Sequence, residues 1–134
     1  MLPRYQLGLF LVSVSCLAVT GCEAKLSSSV TVDSKAFTAT SCRSGQASGF
    51  TGVDLIDGSG QKLRLATMRD GQAEAYLFDA GADKGTKIGA CGPFTFGTQN
   101  STINNIKNVQ GDAKLDCTGA GHAVKGTVSF ANCH

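Results

Sequence analysis

The chain has 134 residues, a formal net charge of +2, 17 glycines, two prolines, no tryptophan and six cysteines. That length suits one ordinary domain once any leader is removed. So even a charge balance lacks the basic patch that neutralises phosphates, which excludes nucleic acid and argues against any large electrostatic partner, while a sugar, a peptide or another protein stays open.

The first element is a leader. A single positive charge, Arg4, precedes an apolar run over residues 7–19 that no charge interrupts, and small residues then lead to Cys22. This is the three-part plan of a secretory signal peptide. A membrane-spanning helix needs about 20 apolar residues; this run is shorter and is followed at once by Glu23 and Lys25. Its last residues, Val19-Thr20-Gly21-Cys22, resemble the lipobox of bacterial lipoproteins. The resemblance implies cleavage before Cys22, a diacylglyceryl group with palmitate-class chains on its thiol, and frequent acylation of the new amino terminus. Two or three acyl chains anchor stably where one binds only reversibly, at about 0.8 kcal/mol per buried CH₂. Cys16 leaves with the cleaved peptide. The residue after the lipidated cysteine is Glu23, not the Asp that signals inner-membrane retention in some Gram-negative cells. The resemblance therefore implies a cell-envelope location, the outer membrane where the host has one.

Residues 22–29 are small and polar and read as a flexible tether, with a single domain over residues 30–134. Val30-Thr31-Val32 and Phe37-Thr38-Ala39-Thr40 flank Asp33-Ser34-Lys35 as a hairpin. A strand follows over residues 50–56, with its inward face left open between Phe50 and Gly52 on one pattern and Val53 and Leu55 on another. Asp57-Gly58-Ser59-Gly60 is a turn. Residues 63–68 alternate apolar and polar, the period of a half-buried strand. After a turn at 69–72, Ala75 and Leu77 take one side of the next strand and Tyr76 and Phe78 the other. A loop over 80–85 leads to short strands at 87–91 and 94–96 around Gly92-Pro93. The Asn-rich stretch around Ile103, Ile106 and Val109 favours strand and loop over a helical turn. A closing hairpin turns at Gly119-Ala120-Gly121. No apolar stripe repeats at helical spacing. About seven to nine short antiparallel strands predict an all-β domain, a small disulfide-linked sandwich or barrel.

Four cysteines remain in the exported domain: Cys42, Cys91, Cys117 and Cys133. An even number in an oxidising compartment predicts two disulfides. No C-x-x-C pair suggests a metal site. In the closing hairpin Cys117 faces roughly residue 123 and Cys133 lies at the far end of the ladder, too distant to bond across it. That favours Cys42–Cys133 with Cys91–Cys117. A last strand that left the hairpin early would favour Cys42–Cys91 with Cys117–Cys133 instead.

No catalytic constellation emerges, and no cofactor or metal is implied. His122 belongs to a turn and His134 to the terminus. Ser59 lacks the spacing of a nucleophile elbow. Gly119-Ala120-Gly121 lacks the lysine and helix of a phosphate loop. Asn100-Ser101-Thr102 matches a glycosylation acceptor by accident of composition. The aromatic residues Phe37, Phe50, Tyr76, Phe78, Phe94, Phe96 and Phe130 are expected as core filling. Asp54, Asp57, Asp79 and Asp83 are the candidates for an alternative reading, a small hydrolase or a calcium-dependent binder.

The lipobox cysteine, the Ser-rich segment, Val30-Thr31-Val32-Asp33, Thr40-Ser41-Cys42 and Val128-Ser129-Phe130-Ala131-Asn132-Cys133 together resemble the small mycobacterial lipoprotein antigens. The likeness implies a compact β-domain, a Cys42–Cys133 bridge and a non-enzymatic role. Cys91 and Cys117 depart from that pattern, and the middle of the chain shows no match. The expectation is a non-catalytic binding or structural module, attached to the membrane through Cys22, whose partner is an envelope protein or glycan.

Overall fold

The structure, a computed structural model, describes residues 23–134, with Ser101 and Ile103 described by their backbone alone. The leader, the lipobox and Cys22 lie outside the described residues. Nine strands follow one another: β1 Lys25–Val32, β2 Lys35–Phe37, β3 Ala39–Ser44, β4 Gly52–Asp57, β5 Lys62–Thr67, β6 Gln72–Phe78, β7 Thr86–Ile103, β8 Ile106–Gly119 and β9 His122–Cys133, with one 3-10 turn, Gly45–Ser48, between β3 and β4. They form one antiparallel sheet in the order β2-β1-β9-β8-β7-β6-β5-β4-β3. Its two edge strands, β2 and β3, are joined through Thr38 alone, so the sheet curls into a nearly closed barrel. Only short edges are left to pair with another chain.

Three connections are two-residue hairpins with both central residues at positive φ: Asp33 and Ser34, Asn104 and Asn105, and Ala120 and Gly121. That backbone matches the right-handed twist of the flanking strands. The core lies inside the curl. Val53, Leu55, Leu63 and Leu65 are fully buried there, opposed by Leu115, Val124, Val128 and Phe130 from the other half. The inward face of β4 is therefore Val53 and Leu55. The all-β expectation holds, as do two disulfides: Cys42–Cys133, with Cα atoms 5.1 Å apart, and Cys91–Cys117, at 4.6 Å. The closing hairpin has the register that separates Cys117 from Cys133, since Cys117 faces Val124 and Cys133 faces Val109.

Three expectations are corrected. Residues 25–29 are not a flexible tether: they pair with β9 in unbroken register from Lys25 opposite Ala131 to Val32 opposite Val124. Leu26 packs against the core and Ser27 and Ser29 face outward, while Ser28 lies half-buried on the inner side and donates to the Phe37 carbonyl, the alternation of a period-two strand. The domain thus begins before residue 30. Second, the two short strands around Gly92-Pro93 are one long strand, β7. It pairs with β6 as far as Pro93 and with β8 from Phe94 onward. Pro93 sits at this exchange of partners, where a missing ladder donor is tolerated. Gly92, at φ 114°, lies so close to the Lys114 carbonyl that a side chain would collide with it. Third, Phe37, Phe94 and Phe130 are core and Phe96 packs on it, whereas Phe50, Tyr76 and Phe78 lie on the outer face of the barrel, where Phe78 is buried beneath Lys62 and Arg64.

Candidate functional site

The outer face of β3–β7 carries a row of polar side chains set by strand register. Arg43 faces Asp54, Asp54 faces Arg64, Arg64 faces Tyr76, and Tyr76 faces Lys87. At its centre the Arg64 guanidinium grips Asp54 with both prongs, Nε to Oδ1 at 2.8 Å and Nη2 to Oδ2 at 3.0 Å. Lys62 stands 3.8 Å from the same carboxylate. Arg64 also stacks over Phe50, 4.2 Å from its ring centroid, and over Phe78 at 4.8 Å, while Lys62 Nζ lies 4.2 Å from the Phe78 centroid. The two rings exclude water from the charge pair, and the pair in turn covers the rings, which explains why an outward-facing aspartate is only 3 % exposed.

Beside this pair the Tyr76 hydroxyl donates to Glu74 Oε1, which Lys87 Nζ also approaches at 3.2 Å. The Tyr76 hydroxyl holds the Glu74 carboxyl below its ordinary range against the opposing effect of burial, and Lys87 adds to the lowering. The same hydrogen bond raises the Tyr76 hydroxyl, with burial and the Glu74 charge acting in the same direction.

Phe50 links this face to a cavity of about 340 Å³ at one end of the barrel. Phe50, Phe96 and Val109 supply apolar walls, and Ser44, Gln46 and Thr98 supply polar ones. Ser44 is buried and its hydroxyl accepts from the Gln46 N–H at 3.3 Å. Gln46 Oε1 in turn accepts from the Lys107 N–H at 3.4 Å. Next to Lys107, Asn108 is fully buried with both polar atoms of its amide unpartnered.

At the opposite end, Asp33 in the β1–β2 turn meets His122 at the start of β9, with Oδ2 2.7 Å from Nδ1, and accepts from the Ala123 N–H at 2.9 Å. The His122 imidazole, and after it the Ala123 N–H, hold the Asp33 carboxyl below its ordinary range. This joins two hairpin turns that are 89 residues apart in sequence.

The four aspartates considered for catalysis or calcium serve separate purposes. Asp54 is neutralised by Arg64. Asp57 Oδ1 accepts from the Ser59 N–H and hydroxyl and from the Gln61 N–H, so it shapes its own turn. Asp79 and Asp83 share a cavity of about 280 Å³ with Arg43 and Lys62, two cations that compete with any bound metal. Among the described residues no three His, Cys, Asp or Glu side chains gather as a metal site, and no helix is long and apolar enough to cross a membrane. Cys42, Cys91, Cys117 and Cys133 are all in disulfides.

The Asp54–Arg64 pair was not anticipated from the residues. A signal for it exists: each charge stands alone between two apolar residues, Val53 and Leu55 or Leu63 and Leu65, and the two are equidistant from Ser59 in the intervening turn. No family model matches the chain, and no curated protein or solved structure matches it.

Proposed function

We infer that the chain is a lipid-anchored lipoprotein of the bacterial cell envelope, attached to the membrane through Cys22, and that its barrel is a non-catalytic binding or structural module. The single observation that carries this reading is the uncharged apolar run over residues 7–19 ending in Val19-Thr20-Gly21-Cys22. Two disulfides in a small barrel support export, because such bridges persist in oxidising compartments. Glu23 in place of Asp supports the outer membrane in a Gram-negative host.

For the binding role, the support is the cavity under Phe50 and Phe96, whose volume falls in the range of small-ligand sites. In the charged row beside it, Asp54 is held by Arg64 and Glu74 by Tyr76 and Lys87. An envelope glycan or protein is the partner class consistent with the near-neutral charge.

The test is fractionation of cells expressing the full chain or its Cys22→Ser variant. The parent chain is expected in the detergent-extractable membrane fraction at the mass of the lipidated chain from Cys22, and the variant without lipid and outside that fraction. Identical partitioning of the two would overturn the anchor.

A further inference from the structure

The position at which the chain enters the barrel constrains how the barrel meets a membrane. The Glu23 carbonyl accepts from Asn132 Nδ2 at 3.1 Å, so the backbone is held against β9 one residue after Cys22. Asn132 is itself fixed: Gln99 Nε2 donates to its Oδ1 at 3.0 Å, and its own N–H donates to Gln99 Oε1 at 2.8 Å. The bond to the residue before Glu23 therefore leaves from this rim, with consecutive Cα atoms about 3.8 Å apart.

Strand register places at that same rim the 3-10 turn Gly45–Ser48, the turn between β5 and β6, and the outer part of the β7–β8 hairpin. That hairpin continues to Ile103 opposite Ile106, whereas β6 leaves β7 at Pro93 and β9 pairs with β8 only from Val109. Its tip is therefore a two-stranded arm outside the ladders of β6 and β9, braced from the side by the Lys107 N–H donating to Gln46 Oε1.

Charge is divided between the two ends of the barrel. At the entry rim Lys25, Arg69 and Lys107 are exposed alongside Glu23 and Asp70. The turns at the far end carry Asp33, Asp57, Asp79 and Asp83, with Lys35 and Lys84 among them, Arg43 and Lys62 beside Asp79 and Asp83, and His122 paired with Asp33. An anionic headgroup layer attracts Lys25, Arg69 and Lys107 within a Debye length.

We propose that the entry rim, formed by Lys25, the Gly45–Ser48 turn and the β7–β8 arm, seats directly on an anionic phospholipid bilayer, with the aspartate-bearing turns pointing away from it. This rests on Cys22 being the lipid-bearing residue. The barrel is then a fixed-orientation surface module, and the cavity under Phe50 lies at its membrane-proximal end.

The test uses the full lipidated protein in vesicles of phosphatidylethanolamine and phosphatidylglycerol, with doxyl-labelled lipid as quencher. Fluorophores are attached to Ala47→Cys on the rim turn and Lys84→Cys on the far loop, with Ser48→Cys as a second rim position in case the first fails to fold. Quenching several-fold stronger at the rim than at residue 84 is the expected result. Equal quenching, or stronger quenching at residue 84, overturns the seating. Flotation of the unlabelled protein with the vesicles is measured first. A protein that floats but shows equal quenching overturns the seating alone, whereas one that does not float overturns the anchor and the seating with it.

Discussion

Cys42 and Cys133 are 91 residues apart in sequence and 5.1 Å apart at their Cα atoms. Their bond joins β3, one edge of the sheet, to β9, the third strand from the opposite edge. It therefore spans the gap that keeps the curled sheet from closing by hydrogen bonds. Cys91–Cys117 acts locally, tying β7 to β8 near the point where β7 changes partner.

The two bridges are expected to differ in weight. In the chain-entropy view, a loop of 91 residues corresponds to about 4.6 kcal/mol and one of 26 to about 3.5 kcal/mol. Replacing Cys42 and Cys133 together by alanine should therefore lower the guanidinium midpoint more than replacing Cys91 and Cys117. Equal losses would show that closure of the barrel adds nothing beyond a local staple.

Arg64 is expected to matter more than its partly exposed position suggests. Arg64→Met removes both hydrogen bonds to the buried Asp54 carboxylate and leaves it only Lys62 at 3.8 Å, a loss of about 3 kcal/mol. Adding Asp54→Leu to that variant should recover most of the loss, because two apolar side chains then replace the pair. Additive destabilisation in the double variant, read from denaturant unfolding, would contradict a desolvated pair.

Much of this architecture was legible in the residues. The alternation at 63–68 and 73–79 marks β5 and β6 because each has one wet and one dry face. The bridging pattern follows from the length of the last hairpin, which puts Cys117 and Cys133 at opposite ends of one ladder. The start of β1 was hidden because serine is as common in loops as on the solvent face of a strand. The continuity of β7 was hidden because a Gly-Pro pair ordinarily breaks a strand, and only the change of partner permits it here. The alternation along β6 separates Phe78 from Ala75 and Leu77, but no single-strand pattern shows Arg64 arriving from a neighbouring strand to cover Phe50 and Phe78.

Stability should depend on pH through Glu74 and Tyr76. The Glu74 carboxyl is lowered from its ordinary value of 4.5, so its contribution is present above that value and is lost as pH falls through the lower folded value. The Tyr76 hydroxyl is raised from 10.0, so its contribution is present below that value and is lost as pH rises through the higher folded one. Tyr76→Phe removes the shared hydrogen bond and should shrink both effects. Denaturant midpoints for parent and variant across acid and alkaline pH check this; unchanged curves would mean that the two groups are uncoupled.

Membrane attachment rests on Cys22, and intact mass spectrometry of membrane-extracted protein, before and after reduction and alkylation, reads its state. The predicted mass is that of the chain from Cys22 plus a diacylglyceryl group, with or without one further acyl chain, and four alkylated thiols appearing only after reduction. A lipid-free chain, or thiols that alkylate without reductant, would contradict it.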